Sequence, residues 1–245
     1  MPILFACSNQ TDKTLIEKMR LDGTVSLLSE NPFLPHPEST HADMQILPVK
    51  DDTVFIKNGI CSHFIEDIGK ISKRAVISGG DYYEAYPSCC SHNILICGNY
   101  YFHNTKYTDE NVKQFLDANY FIPVNVRQGY SGCSSCYIDS IDLLITSDRG
   151  IQKESAKHSF NCCFIDENIT ERIELKGYDH GFIGGCLGYC KETNTLYVNG
   201  SIEKNMPELY GLLRQAGVRV VQSDKKTLSD IGGIKCIVYK ASNFC

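Results

Sequence analysis

The chain has 245 residues, 42% hydrophobic and 22% charged, with a formal net charge of −5 and a mean hydropathy of −0.20. That is ordinary globular composition, long enough to bury a substantial core, and it excludes a disordered chain and a broadly basic nucleic-acid surface. No window approaches the ~18 apolar residues of a membrane span, and the apolar start from Met1 to Cys7 is too short for a secretion signal, so a cytoplasmic protein is expected. Thirteen cysteines, an odd number, point to reduced thiols rather than a disulfide framework. Cysteines in apolar runs, such as Cys97, Cys163 and Cys190, read as small buried hydrophobes.

In chain order, Thr11-Asp12 starts a helix over 13–20 with Leu15, Ile16 and Met19 on one face. Strands follow at 25–28, 44–49 and 53–57, with a Pro-rich loop and Ser39-Thr40-His41-Ala42-Asp43 between the first two. A second helix carries Ile65, Ile68 and Ile71. It leads to Ala75-Val76-Ile77-Ser78, a Tyr-rich loop, and strands ending in Ile94-Leu95-Ile96 and Tyr100-Tyr101-Phe102. Thr108-Asp109 caps a third helix with Val112, Phe115 and Leu116 inward; acid in its first turn suits the helix dipole. Then come 121–126, the loop Gly129-Tyr130-Ser131-Gly132-Cys133, and strands at 135–138 and 143–146. A fourth unit runs from Gly150 through Cys162-Cys163-Phe164-Ile165, the loop 177–185, and strands at 186–190 and 195–198. The fifth has a helix over 206–215 with Gly217 as its cap, then 218–221, Ser229-Asp230-Ile231-Gly232-Gly233 and 235–239.

The recurring order, with a period of about 49 residues, describes one α/β domain over residues 1–245, a pseudo-symmetric propeller of five units. The fifth unit lacks its last strand, and Ile3-Leu4-Phe5-Ala6 stands without a unit. The N-terminal strand is therefore expected to complete the fifth unit and close the ring, leaving only short protected edges. Rotation would bring equivalent loops to one end of the axis. There they gather His41, Asp43, His92, Cys133, Cys136, Asp179, His180, Asp230 and Cys236.

Ser39-Thr40-His41-Ala42-Asp43-Met44, Gln128-Gly129-Tyr130-Ser131-Gly132-Cys133-Ser134, Thr146-Ser147-Asp148-Arg149-Gly150-Ile151, Gly181-Phe182-Ile183-Gly184-Gly185 and Asp230-Ile231-Gly232-Gly233 together resemble the pentein fold of guanidino-group-modifying enzymes. They are most similar to an uncharacterised bacterial family of that fold. The resemblance implies a Cys-dependent hydrolase or deiminase acting on a guanidino compound. The superfamily's nucleophile lies in a Gly-Gly-x-His-Cys stretch. Here Gly232-Gly233-Ile234-Lys235-Cys236 keeps the spacing and has Lys235 in place of His. That makes Cys236 a candidate nucleophile, with His180 or His41 as acid/base. Cys133, in a Gly/Ser-rich loop, is the rival nucleophile. Asp43, Asp148, Asp179 and Asp230 are candidate guanidinium acceptors. The expected partner is a small guanidino molecule, with no membrane, no nucleic acid, no cofactor and no resident metal.

Two other readings remain open. Cys133-x-x-Cys136 with Cys186-x-x-x-Cys190 has the look of a zinc set, although strand alternation would turn Cys136 and Cys190 inward. The same fold also serves a translation factor that binds the large ribosomal subunit. A catalytically silent module binding a small ligand, a protein or the ribosome is therefore the alternative.

Overall fold

A computed structural model describes residues 2–50, 53–71, 74–79 and 85–239. Asp51 and Asp52 of the second unit's hairpin turn, Tyr82 and Tyr83 of the Tyr-rich loop, and the chain end at Cys245 lie outside the described residues. The chain begins with β1 (Ile3–Ser8), α1 (Lys13–Arg20) and β2 (Thr24–Leu28). A one-turn helix α2 (Ala42–Gln45) then leads to β3 (Ile46–Pro48), β4 (Thr53–Lys57), α3 (Ser62–Lys70) and β5 (Arg74–Ser78). Next come β6 (Leu95–Cys97), β7 (Tyr100–His103), α4 (Glu110–Ala118) and β8 (Ile122–Asn125). They are followed by β9 (Ser135–Ile138), β10 (Leu143–Thr146), α5 (Arg149–Lys157), β11 (Asn161–Phe164) and α6 (Glu167–Thr170). The last are β12 (Leu187–Cys190), β13 (Thr195–Val198), α7 (Ile202–Asn205), α8 (Pro207–Gln215), β14 (Arg219–Gln222) and β15 (Ile234–Val238).

Helix starts follow the capping residues. Asp12 accepts from the Thr14 amide, Asp109 from those of Asn111 and Val112, and Asp148 from that of Ile151, so each carboxylate satisfies otherwise orphaned donors. Gly217 lies just past α8 at φ +78°, where a side chain would be strained. Two strand starts differ from expectation. Residues 42–45 form a helical turn, anchored by the Asp43 amide donating to the Gly232 carbonyl (2.9 Å), and Ser88–Cys90 is a 3-10 turn. In both places the strand is shorter because the loop before it is tied to a neighbouring unit.

The strands make five three-stranded sheets: β15-β1-β2, β3-β4-β5, β6-β7-β8, β9-β10-β11 and β12-β13-β14. Each has the same wiring. An inner strand pairs antiparallel with the middle strand, and a helical crossover returns the chain as a parallel outer strand. β1 pairs with β15 in the register Phe5↔Cys236, so the N-terminal strand does complete the fifth unit and close the ring. This is the five-unit α/β propeller expected from the sequence.

Apolar residues on both faces of the middle strands explain why the units cannot stand alone. In β1, Ile3, Phe5 and Cys7 pack toward the β12–β14 unit, while Leu4 and Ala6 pack toward β3–β5. In β10, Leu143 and Ile145 face one neighbour and Leu144 the other. A period of two with both faces apolar is the pattern of a strand buried on each side. The core is accordingly five interblade clusters rather than one central mass. No helix among the described residues is long and apolar enough to cross a membrane.

Candidate active site

Each inner strand is preceded by a loop, and the five loops bond to one another around the axis. The Asp43 amide reaches the Gly232 carbonyl, and those of Ile231 and Gly233 reach the Gly185 carbonyl (3.0 and 2.8 Å). Gly185 N–H donates to Cys133 O (2.7 Å), Gly132 N–H to Asn93 Oδ1 (2.7 Å), and Asn93 Nδ2 to Met44 Sδ (3.3 Å). This closed circuit needs glycine at several points, two of them beside the acidic and imidazole side chains. A side chain on Gly185 would strike the Asp230 carboxylate, and one on Gly232, which sits at φ +74°, would strike His41.

The circuit brings His41, Asp43, Cys133 and Asp230 together, all buried. The Cys133 thiol donates to Asp43 Oδ2 (2.8 Å) and accepts from Asn93 Nδ2 (3.1 Å). Asp230 accepts from the amides of Phe182 (2.8 Å, on Oδ2) and Gly232 (2.9 Å, on Oδ1), and its Oδ1 lies 4.0 Å from His41 Nδ1. Among the described residues, His41 Nδ1 and Asp43 Oδ1 are buried without a hydrogen-bond partner. Beside them, Glu38 accepts from the hydroxyls of Tyr130 (3.0 Å) and Tyr178 (2.7 Å) on Oε1, while its buried Oε2 has no partner.

Glu38, His41, Cys133 and Asp230 open on a cavity of about 270 Å³ walled by Tyr130, Tyr178 and Phe182, with Asp179 and His180 also in its lining. A second cavity of about 220 Å³ runs among the inner strands, lined by Lys235 and Cys136, and Asp43 reaches it from the loop end. Burial governs the ionisation of the cluster. It raises the Asp43 carboxyl, opposed chiefly by the Lys235 charge, and it raises Asp230 to about 6 against the pull of two amides. It also raises the Cys133 thiol, helped by the charge of Asp43, and lowers His41, which therefore stays neutral.

The other expected residues stand outside this buried cluster. Cys236 sits on β15 in the cluster between β1 and β12–β13, and its thiol is raised by a hydrogen bond with Cys190 and by burial. It is partly buried and lines the second cavity with Lys235 and Asp43, outside the lining of the larger one. His180 is exposed on the cavity wall, edge-on to Phe182, with Nδ1 3.2 Å from the Gly181 carbonyl. Asp148 caps α5 and accepts from Gln128 Nε2 (3.0 Å), outside the cavity lining. The zinc set does not assemble. Cys136 and Cys186 enter one interblade cluster and Cys190 another. Among the described residues, the group with metal-ligand proximity is His41, Asp43 and Cys133. Sequence reasoning missed Glu38, Asn93, Tyr130 and Tyr178 as site residues. Tyr130 stood in a quoted loop, but Glu38 in the Pro-rich stretch carried no distinguishing signal.

The model of a family of unknown function, DUF6873, matches residues 6–235. No curated protein matches the sequence. Among solved structures, the inosamine-phosphate amidinotransferase StrB1 from Streptomyces griseus aligns over 88% of this chain and 77% of its own, at 13% identity and a TM-score of 0.49. A structure assigned as a peptidyl-arginine deiminase aligns over 91% and 90%, at 9% identity and a TM-score of 0.50. At that identity the likeness shows a shared pentein fold and leaves activity aside.

Proposed function

We propose that this chain, which belongs to the DUF6873 family, binds a small guanidino cation in its loop-end cavity and hydrolyses it through Cys133. The observation that carries the reading is Glu38. It is a buried carboxylate with one oxygen held by two tyrosines and the other unpartnered, in an aromatic wall beside a buried thiol. A guanidinium is planar, stacks on aromatic faces and offers N–H donors in a fixed fork, which suits a pocket of Glu38, Asp230, Tyr130 and Phe182.

The cation also changes the thiol. In the free protein the neighbouring carboxylates favour the protonated form of Cys133, whereas a guanidinium in contact favours thiolate. In the proposed reaction the Sγ–C bond forms at the guanidinium carbon and one C–N bond breaks. The thiol proton, carried by Asp43 or His41, ends on the departing nitrogen. Water then adds at the same carbon, the S–C bond breaks, Cys133 recovers its proton, and a ureido product and one proton leave.

The test is release of ammonia or amine from a panel of arginine, agmatine and methylated arginines. Wild type and Cys236→Ser should release product, and Cys133→Ser should not. Release that survives Cys133→Ser and stops in Cys236→Ser would overturn the assignment. A second reading, a catalytically silent binding module, is favoured by the raised Cys133 thiol and by Lys235 standing where the superfamily's His is expected. It is supported instead if a guanidino compound binds saturably and nothing is released.

A further inference from the structure

Between the two cavities lies a compact set of soft and hard donors: His41 and Cys133 line the larger cavity and Asp43 the smaller. His41 Nδ1 or Nε2, an Asp43 carboxylate oxygen and Cys133 Sγ all lie within 4.8 Å of one another, and all three residues are buried. Two atoms on these residues, His41 Nδ1 and Asp43 Oδ1, have no hydrogen-bond partner among the described residues. A buried polar atom left without a partner is destabilising, so two on neighbouring residues call for an occupant. The Asp230 carboxylate adds further negative charge 4.0 Å from the imidazole.

We infer that His41, Asp43 and Cys133 form a binding site for a borderline-soft divalent cation of the Zn2+ class. One nitrogen, one oxygen and one sulfur ligand match the ion's donor preferences, and a thiolate with an imidazole discriminates against Mg2+ and Ca2+. Three protein ligands would leave a fourth position for water or a ligand, and two of the three, His41 and Cys133, line the larger cavity. The thiol gives its proton to solvent as the Sγ–metal bond forms. Asn93 already supports the ligand loop, accepting from the Gly132 and Cys133 amides (2.7 and 3.1 Å) and donating to Sγ. Metal occupancy and nucleophilic use of Cys133 exclude one another, but the inference does not rest on the hydrolase reading.

Cobalt(II) titration of the reduced, chelator-stripped full chain tests it. Wild type and Cys236→Ser should each take up one equivalent with a cobalt–thiolate charge-transfer absorption, and Zn2+ should displace the cobalt and raise the Tm. Cys133→Ser should lose the absorption, and His41→Ala should weaken binding by at least tenfold, with circular dichroism confirming that both are folded. If Cys133→Ser does not fold, the His41→Ala affinity alone decides. No absorption in wild type, or an unchanged affinity in the variants, overturns the site. Metal uptake, with no turnover of any guanidino compound by the metal-free protein, would count against the hydrolase reading alone.

Discussion

Asp230 makes the stability of this protein depend on pH in an unusual direction. Its carboxyl is raised from 3.8 to about 6 in the folded chain, because burial outweighs the amides of Phe182 and Gly232. The folded state thus holds a proton that the unfolded state has already lost. The stabilisation is complete below the unfolded value and disappears as pH rises through the folded one. At ~1.36 kcal/mol per pKa unit, the side chain withdraws about 2–3 kcal/mol between pH 4 and 7.5. For a chain of this length that is roughly 5–10 °C in Tm. His41 works the opposite way, since a buried neutral imidazole is destabilised as its unfolded counterpart becomes protonated below about 6.5. Comparing Tm of wild type and Asp230→Asn from pH 4 to 7.5 isolates Asp230, because His41 is common to both. The wild-type advantage should shrink steadily with rising pH. An advantage that stays flat or grows would refute the burial argument.

Three further outcomes follow from the same geometry. Phe5→Ala empties a fully buried position in edge contact with Tyr197 (ring centroids 4.8 Å), and urea denaturation should show a loss of about 3–5 kcal/mol. Asp148→Ala removes the cap of α5 and the Gln128 contact; it should cost about 1 kcal/mol by the same measurement while leaving Cys133 labelling by a thiol reagent unchanged. Glu38→Gln, which keeps the tyrosine contacts and removes the charge, should weaken calorimetric binding of a guanidino compound about tenfold, equivalent to ~1.4 kcal/mol.

The ring itself was legible in the chain. Asp12 and Asp109 announce helices, doubly apolar runs such as Leu143-Leu144-Ile145 announce middle strands, and the orphan Ile3-Leu4-Phe5-Ala6 announces closure. These signals are local, written in capping chemistry and a two-residue period, so a reader of the sequence has access to them. The repeat also implies that the loops converge, which draws His41, Asp43, Cys133 and Asp230 to one end of the axis but does not separate them from His92, Cys136, Asp179, His180 and Cys236. What only the tertiary structure decided is which way each side chain turns and what lies opposite it. Cys133 and Cys236 look alike in sequence, each a few residues beyond a glycine. One lies in a loop whose amides are drawn to Asn93, with its thiol donating to Asp43; the other lies within a strand, half-buried beside Cys190 and lining the second cavity. Glu38 became a site residue only because Tyr130 and Tyr178, 92 and 140 residues away, fold over it. Burial, and the ionisation it imposes, is a property of packed neighbours distant in sequence, and no local pattern carries it.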